Sequence, residues 1–298
     1  MKLAIISNEF PPLTSSGAVQ VKDLADEFVK QGHEITVITA TYGLKRNFLI
    51  ENTKENFQIL STPSLKSKGV NNFRRTISEI ITPYLMLFGI RQSPISDKKW
   101  DAIIWYSPTI FLAPVASYLK KRSNCPGYLI LRDIFPDWAV DLGILNKGIT
   151  YRILKFFEKY QYSKADVIGV QSKGNLTYFS QLNKRGETKI EVLHNWLSHN
   201  GTKKSSIDIS KTHLNGRKIL IYAGNMGVAQ GIDQFFQLAH MLQERTDLGF
   251  IFVGRGTEME RFRKDDTYNS LDNILFFDQV DPDEIPSLYD QCHIGMLS

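Results

Sequence analysis

The sequence predicts an α/β protein built from two doubly wound, Rossmann-like parallel-sheet domains, the second of them incomplete. Three observations predict it. Short apolar runs alternate with amphipathic stretches from the first residue onward, the rhythm of a parallel sheet covered by helices on both faces. The rhythm breaks once, at the polar and basic stretch His199–Arg217 (Gly201, Lys203, Lys204, Ser205, Ser206, Lys211), and then restarts. The restarted part has only about 80 residues, a size at which a domain buries its surface poorly, and it stops inside or just after a strand with no covering helix behind it. The domains are accordingly expected at 1–200 and 215–298, with a polar linker between them.

The elements follow in order. Leu3–Ser7 reads as a buried first strand and not as the core of a signal peptide, because Asn8 and Glu9 interrupt it at once. After a Pro/Ser/Gly loop from Pro11 to Gly17, Val19–Lys30 places Val21, Leu24, Ala25 and Phe28 at helical spacing, and Gly32 marks the stop. Glu34–Thr39 alternates as a strand. Further strands are expected at Phe57–Leu60, Ala102–Tyr106, Tyr128–Leu131, Val167–Val170 and Ile190–Leu193, with helices between them that include Ile110–Lys121 and Ile149–Tyr162. The second domain reads as strand Ile219–Ala223, helix Ile232–Glu244, strand Phe250–Val253, helix Glu258–Arg263, strand Ile274–Phe277, helix Pro282–Tyr289 and strand His293–Leu297.

Composition narrows the function. Of 298 residues, 42% are hydrophobic and 22% charged, which fits a globular protein with a real core. A net charge of +5 suits anionic ligands such as nucleotides, diphosphates or acidic lipid headgroups, and it does not single out nucleic acid. Cys125 and Cys292 are the only cysteines, too far apart for a metal motif, so a reducing cytoplasm is the simplest setting. No run reaches the roughly 18–20 apolar residues that span a bilayer.

Several segments can carry chemistry. Gly224-Asn225-Met226-Gly227-Val228-Ala229-Gln230-Gly231 falls between a strand and a helix, where outward amides and small residues admit a phosphate; a tight turn explains the same glycines. Val253-Gly254-Arg255-Gly256 begins like a dinucleotide fingerprint but has Met259 in place of its third glycine. Arg132 and Asp133 sit at the carboxyl end of a strand, where open α/β sheets bind ligands. Asp281-Pro282-Asp283 superficially matches a metal-binding Asp-x-Asp, yet with Glu284 it reads better as a helix start. Asn71–Ile90 is basic at its beginning and apolar and aromatic at its end, with Lys66 and Lys68 just upstream. It reads either as a helix lying in a membrane interface or as an ordinary core-facing helix kinked at Pro83.

With these residues in view, the chain resembles the retaining glycosyltransferases of family 4, of GT-B architecture, and among them bacterial enzymes of O-antigen and capsule assembly that transfer an N-acetylfucosamine-type sugar. The likeness rests on Ile5–Pro12 with Ser16-Gly17-Ala18, Arg132–Asp137, His194-Asn195-Trp196, Tyr222–Gly227 with Gln230-Gly231, and Val253–Gly256. It implies a UDP-sugar donor, carrying an N-acetylated deoxyhexose, on the second domain. It also implies an undecaprenyl-diphosphate-linked sugar acceptor against the first, contact with the inner face of the cytoplasmic membrane through 66–90, and no metal or other cofactor. By the same resemblance, Gly17, Asn195, Gly224, Asn225, Met226, Gly227, Gln230, Gly254 and Arg255 are expected to bind the donor, and Arg132 and Asp133 to act in catalysis, with no general base assigned. Two departures stand out: Asn225 and Gln230 occupy places where many relatives carry an arginine and a lysine, and the Glu-x7-Glu segment that follows the last strand in the family is absent, from which an inactive chain is expected. A GT-B-shaped sugar-nucleotide epimerase and a non-catalytic nucleotide-sugar- or lipid-binding fragment are the alternatives.

Overall fold

A computed structural model of the chain describes residues 1–67, 69–182, 188–198, 203–227 and 230–297. The chain divides into two compact units, Met1–Ser198 and His199–Ser298. The first unit runs β1 (Lys2–Ser7), α1 (Ser16–Lys30), β2 (Glu34–Tyr42), β3 (Leu49–Asn52), β4 (Gln58–Ser64), α2 (Asn72–Gln92), β5 (Ala102–Ser107) and α3 (Ala113–Ser123). It continues with β6 (Gly127–Leu131), α4 (Asp137–Asp141), α5 (Ile149–Tyr162), β7 (Val167–Val170), α6 (Lys173–Leu182) and β8 (Lys189–Val192). Its sheet has eight strands in the order β3-β4-β2-β1-β5-β6-β7-β8, parallel throughout except for β3 against β4. From β1 the chain winds outward to one edge, returns beside β1 as β5, and winds to the other edge. The switch point therefore lies between β1 and β5, and the ligand crevice of such a sheet lies outside their carboxyl ends.

The apolar run of β1 is buried on both faces, as a central parallel strand requires. Ala4 and Ile6 enter one core with Trp105 and Leu129, and Leu3 and Ile5 enter the other with Val21 and Ala25. Helix α1 begins at Ser16, because the Ser15 hydroxyl caps it by accepting from the Ala18 amide at 3.3 Å. Helix α3 begins at Ala113 and not at Ile110. Pro114 fits its first turn, while Ile110 and Phe111 are buried ahead of it.

The second unit contains β9 (Lys218–Asn225), α7 (Asp233–Met241), β10 (Leu248–Arg255), α8 (Thr257–Lys264), α9 (Asp266–Asn269), β11 (Ile274–Asp278), α10 (Ile285–Tyr289) and β12 (Ile294–Gly295). Its four strands are parallel in the order β11-β10-β9-β12, with the switch point between β9 and β12. Phe236 of α7 anchors the core beneath this sheet, stacking on Phe262 at 3.7 Å and on Phe252 at 4.2 Å between ring centroids. The linker expected at 199–217 is reassigned in part. Ile207, Ile209 and Leu214 are buried against Ile219 and Ile251, so the segment from 203 onward belongs to this unit; residues 199–202 lie outside the described residues.

Candidate functional site

In the first unit, the predicted residues gather at the carboxyl ends of the strands. Beyond β1, the Ser7 hydroxyl donates to the Glu9 carbonyl at 2.7 Å and accepts from the Glu9 amide at 3.0 Å, which fixes the start of the loop. The Glu9 carboxylate then lies over the first turn of α1, where the positive end of the helix favours an anion. Gly17 makes room for it: a Cβ there would stand 1.9 Å from Glu9 Oε2. A side chain at 17 would have to displace the Glu9 carboxylate and press on the Tyr106 ring, 3.1 Å away.

Arg132, at the end of β6, is buried under aromatic rings. Its guanidinium carbon lies 4.6 Å from the Trp196 ring centre and 5.9 Å from that of Tyr106, and Nη1 donates to the Leu193 carbonyl at 2.9 Å. Nε and Nη2 are buried without a hydrogen-bond partner among the described residues. The frame closes through α1, with Tyr106 donating to Gln20 Oε1 at 3.0 Å and Trp196 Nε1 to the Gln20 carbonyl at 2.9 Å. Burial lowers the pKa of Arg132 and pushes that of Tyr106 up to about 12. Asp133, its neighbour, is exposed. Desolvation by the surrounding protein, and then the negative charge of Glu9, raise its carboxyl above the ordinary range. The two neighbours are thus divided: Asp133 is exposed, and Arg132 is buried against Trp196, Tyr106 and the Leu193 carbonyl. Asn195 is exposed beyond β8. Glu9, Tyr106 and Trp196 escaped selection as site residues because nothing in their local pattern separates them from packing residues; only the strand order brings them together.

In the second unit, β9 continues through Gly224 and Asn225, which pair in register with Gly254 and Arg255 of β10. The two glycine turns therefore pack backbone against backbone. Gly254, at φ 147°, would place a Cβ 1.9 Å from the Gly224 carbonyl oxygen, and Gly256, at φ 141°, would place one 2.2 Å from the Met226 carbonyl oxygen. Gly254 is thus required as glycine by the neighbouring strand, whatever its part in binding the donor. Met226 is held within the protein. Its side chain is fully buried, its amide donates to the Arg255 carbonyl at 2.8 Å, and its carbonyl accepts from the Glu258 amide at 3.0 Å. The loop leads to α7, which starts at Asp233 after Gly231 at φ 54°, within one residue of the expected helix start.

What remains is smaller and better defined. The Gly227 amide and Asn225 Nδ2 converge on a single oxygen, Gln230 Oε1, at 3.0 and 3.1 Å. Gly224 and Asn225 are exposed beside this point, and Arg255 is an exposed cation at the end of the next strand. Val228 and Ala229 of the same loop lie outside the described residues.

Asp281 caps a short 3-10 turn, Pro282–Glu284, and Lys203 pairs with Asp281 at 2.9 Å and Asp283 at 3.4 Å. The Asp-x-Asp is thus a helix start held by a lysine. Helix α2 realises the core-facing reading of its segment with Met86 and Ile90 fully buried, and it also leaves Ile77, Ile81, Tyr84 and Phe88 exposed on its other side. Arg74 and Arg75 are exposed at its start, as is Lys66 ahead of it; Lys68 lies outside the described residues. Among the described residues, no helix is long and apolar enough to cross a membrane.

Residues 204–298 match the family model described as "Glycosyl transferases group 1". A curated relative, "Putative colanic acid biosynthesis glycosyl transferase WcaI" of Escherichia coli (strain K12), is 23% identical over 99% of this chain and 76% of its own length. Among solved structures, sucrose-phosphate synthase from Thermosynechococcus elongatus superposes with a TM-score of 0.68 at 14% identity, over 99% of this chain and 75% of that one. Anabaena Alr3699/HepE in complex with UDP and glucose gives 0.60 at 15% identity, over 100% and 74%. The fold is GT-B-like. It is an α/β arrangement shared with glycosyltransferases of known structure, with sheets of eight and four strands, parallel but for β3.

Proposed function

We propose that this chain transfers a sugar from a UDP-sugar to a lipid-linked acceptor in the assembly of a bacterial surface polysaccharide, with retention of configuration and without a metal. One observation carries the donor reading: two N–H donors, Gly227 N and Asn225 Nδ2, meet on one oxygen at the carboxyl end of β9. Gln230 Oε1 stands where a diphosphate oxygen would be held. The switch-point position, the group 1 match over 204–298 and the UDP in the complex of Alr3699/HepE support that assignment.

In this reading, the donor diphosphate displaces the Gln230 carboxamide, and Arg255 adds a cation beside it. As the glycosyl–phosphate bond opens, charge grows on the leaving diphosphate, and each donor aimed at it lowers the barrier by about 3 kcal/mol. The second unit holds the donor. The first holds the acceptor, with Glu9 and Asp133 as the carboxylates beside its switch point and Arg132 ordering the Tyr106 and Trp196 rings next to them. Helix α2, basic at its start and apolar along its exposed stripe, meets the membrane that carries the acceptor.

The test is titration calorimetry of UDP against the wild-type chain and Asn225→Asp, an exposed, nearly isosteric change that removes one donor and adds a negative charge. A charge-assisted hydrogen bond and its reversal predict an affinity loss of roughly tenfold or more. Unchanged UDP affinity would remove the loop from the donor site.

A further inference from the structure

Helices α4 and α5 and the loop between them carry an apolar surface that no described residue of the first unit covers. Leu142, Ile144, Ile149, Ile153 and Phe156 are each more than half exposed, and Trp138 stands at their edge. On α5, the exposed residues Ile149, Ile153 and Phe156 follow one another at spacings of four and three, so they form one stripe, while Leu154 and Phe157 point the other way, into the protein. Five side chains of this size outside a core need a partner, since patches of this kind mark interaction surfaces.

The flanking charge says which partner. Lys147, Arg152 and Lys159 are exposed around the stripe against a single exposed carboxylate at its α4 edge, Asp141, while Glu158 is fully buried on the inner side. The surface is therefore apolar with a net cationic rim, complementary to an anionic lipid surface. A two-fold contact with a second copy would press these like charges together. The position agrees. Leu154 and Phe157 share a core cluster with Ile80 of α2 and with Phe135, which follows Asp133 by two residues. The stripes of α2 and α5 thus flank one cluster, on the side of the unit that holds the acceptor carboxylate.

We infer that the α4–α5 surface is a second lipid-contacting face, which lies in the headgroup region of an anionic bilayer alongside α2. This rests on the membrane-facing reading of α2 and extends it to residues of a different element. With two faces seated, the mouth of the acceptor site at Asp133 faces the bilayer, and a lipid-linked sugar reaches it without leaving the membrane.

The experiment is flotation of the full chain with vesicles of phosphatidylcholine alone or mixed with phosphatidylglycerol. Three proteins are compared: wild type, Ile153→Gln/Phe156→Gln on α5 and Tyr84→Gln/Phe88→Gln on α2. All four substituted side chains are exposed, and an unchanged thermal midpoint checks that each variant is folded. Wild type is expected to bind the mixed vesicles, and each double variant to lose roughly tenfold or more in partitioning. Full binding by the α5 variant, with loss in the α2 variant, overturns this inference and leaves the α2 reading standing. No binding by wild type overturns both. A concentration-dependent dimer that the α5 variant dissolves while lipid binding persists gives the face to a second copy, and also overturns it.

Discussion

At the scale of single residues, the second unit depends on absent side chains more than on present ones. Gly254 and Gly256 each combine a positive φ with a neighbouring carbonyl oxygen where a Cβ would go. Gly254→Ala must therefore move β9 and β10 apart at their carboxyl ends. It is expected to destabilise the fold by about 3 kcal/mol or more, read as a lower midpoint in chemical denaturation. Gly216→Ala is the control: its φ is 81° with nothing within 4 Å, and it should cost only about 1 kcal/mol. Equal losses would mean that backbone angle, and not the crossing of the two turns, sets the requirement. Both glycine turns stood out in the sequence, but their reasons did not. A glycine that admits a phosphate and a glycine that admits the next strand's carbonyl look alike until the register is known. Arg132 and Asp133 make the same point, being adjacent just beyond β6 yet one a buried cation and the other an exposed carboxylate.

At the scale of elements, helices α4, α5 and α6 are bound by a buried polar network that determines where the loop after β6 ends. Lys155 on α5 pairs with Glu158, with Asp137 at 3.1 Å, and donates to the Tyr178 hydroxyl at 2.9 Å; Tyr151 donates to Asp137 at 2.7 Å. Burial holds the Glu158 carboxyl above its usual range, and Lys155 only partly counters it. Burial acts on Asp137 in the same direction, but bonds from Tyr178, Tyr151 and Lys155 outweigh it and hold that carboxyl low. The signs are opposite. Asp137 adds stability that is present at neutral pH and lost as pH falls through its depressed pKa, whereas Glu158 takes stability away as pH rises past its unfolded value. Lys155→Met strands two carboxylates and should cost about 3–5 kcal/mol at pH 8, with the loss shrinking toward pH 5 as Glu158 takes up a proton. Thermal midpoints at the two pH values measure it, and a loss independent of pH would contradict this account of the network. Of the elements themselves, α5 and β7 have the bounds that periodicity predicts, because each has a clear apolar face or a fully buried run. Strand β3 was not legible: four residues on an antiparallel edge, without a clean alternation, carry too little pattern. Helix α4 is a single turn and gave no periodic signal at all.

At the scale of the whole molecule, the class of fold was readable because a doubly wound sheet repeats one signal many times. The place of the site within each sheet was not, since it depends on strand order, which no local pattern encodes. The order found here puts Glu9, Tyr106 and Asp133 at one switch point and Gly227 and Asn225 at another. The central claim is that the second of these holds a nucleotide's diphosphate in place of Gln230. A crystal structure of the chain with UDP tests it most directly. The account predicts a diphosphate oxygen within hydrogen-bond distance of both Gly227 N and Asn225 Nδ2, with the Gln230 carboxamide turned away. A diphosphate bound elsewhere, with Gln230 Oε1 still accepting from both donors, would contradict it.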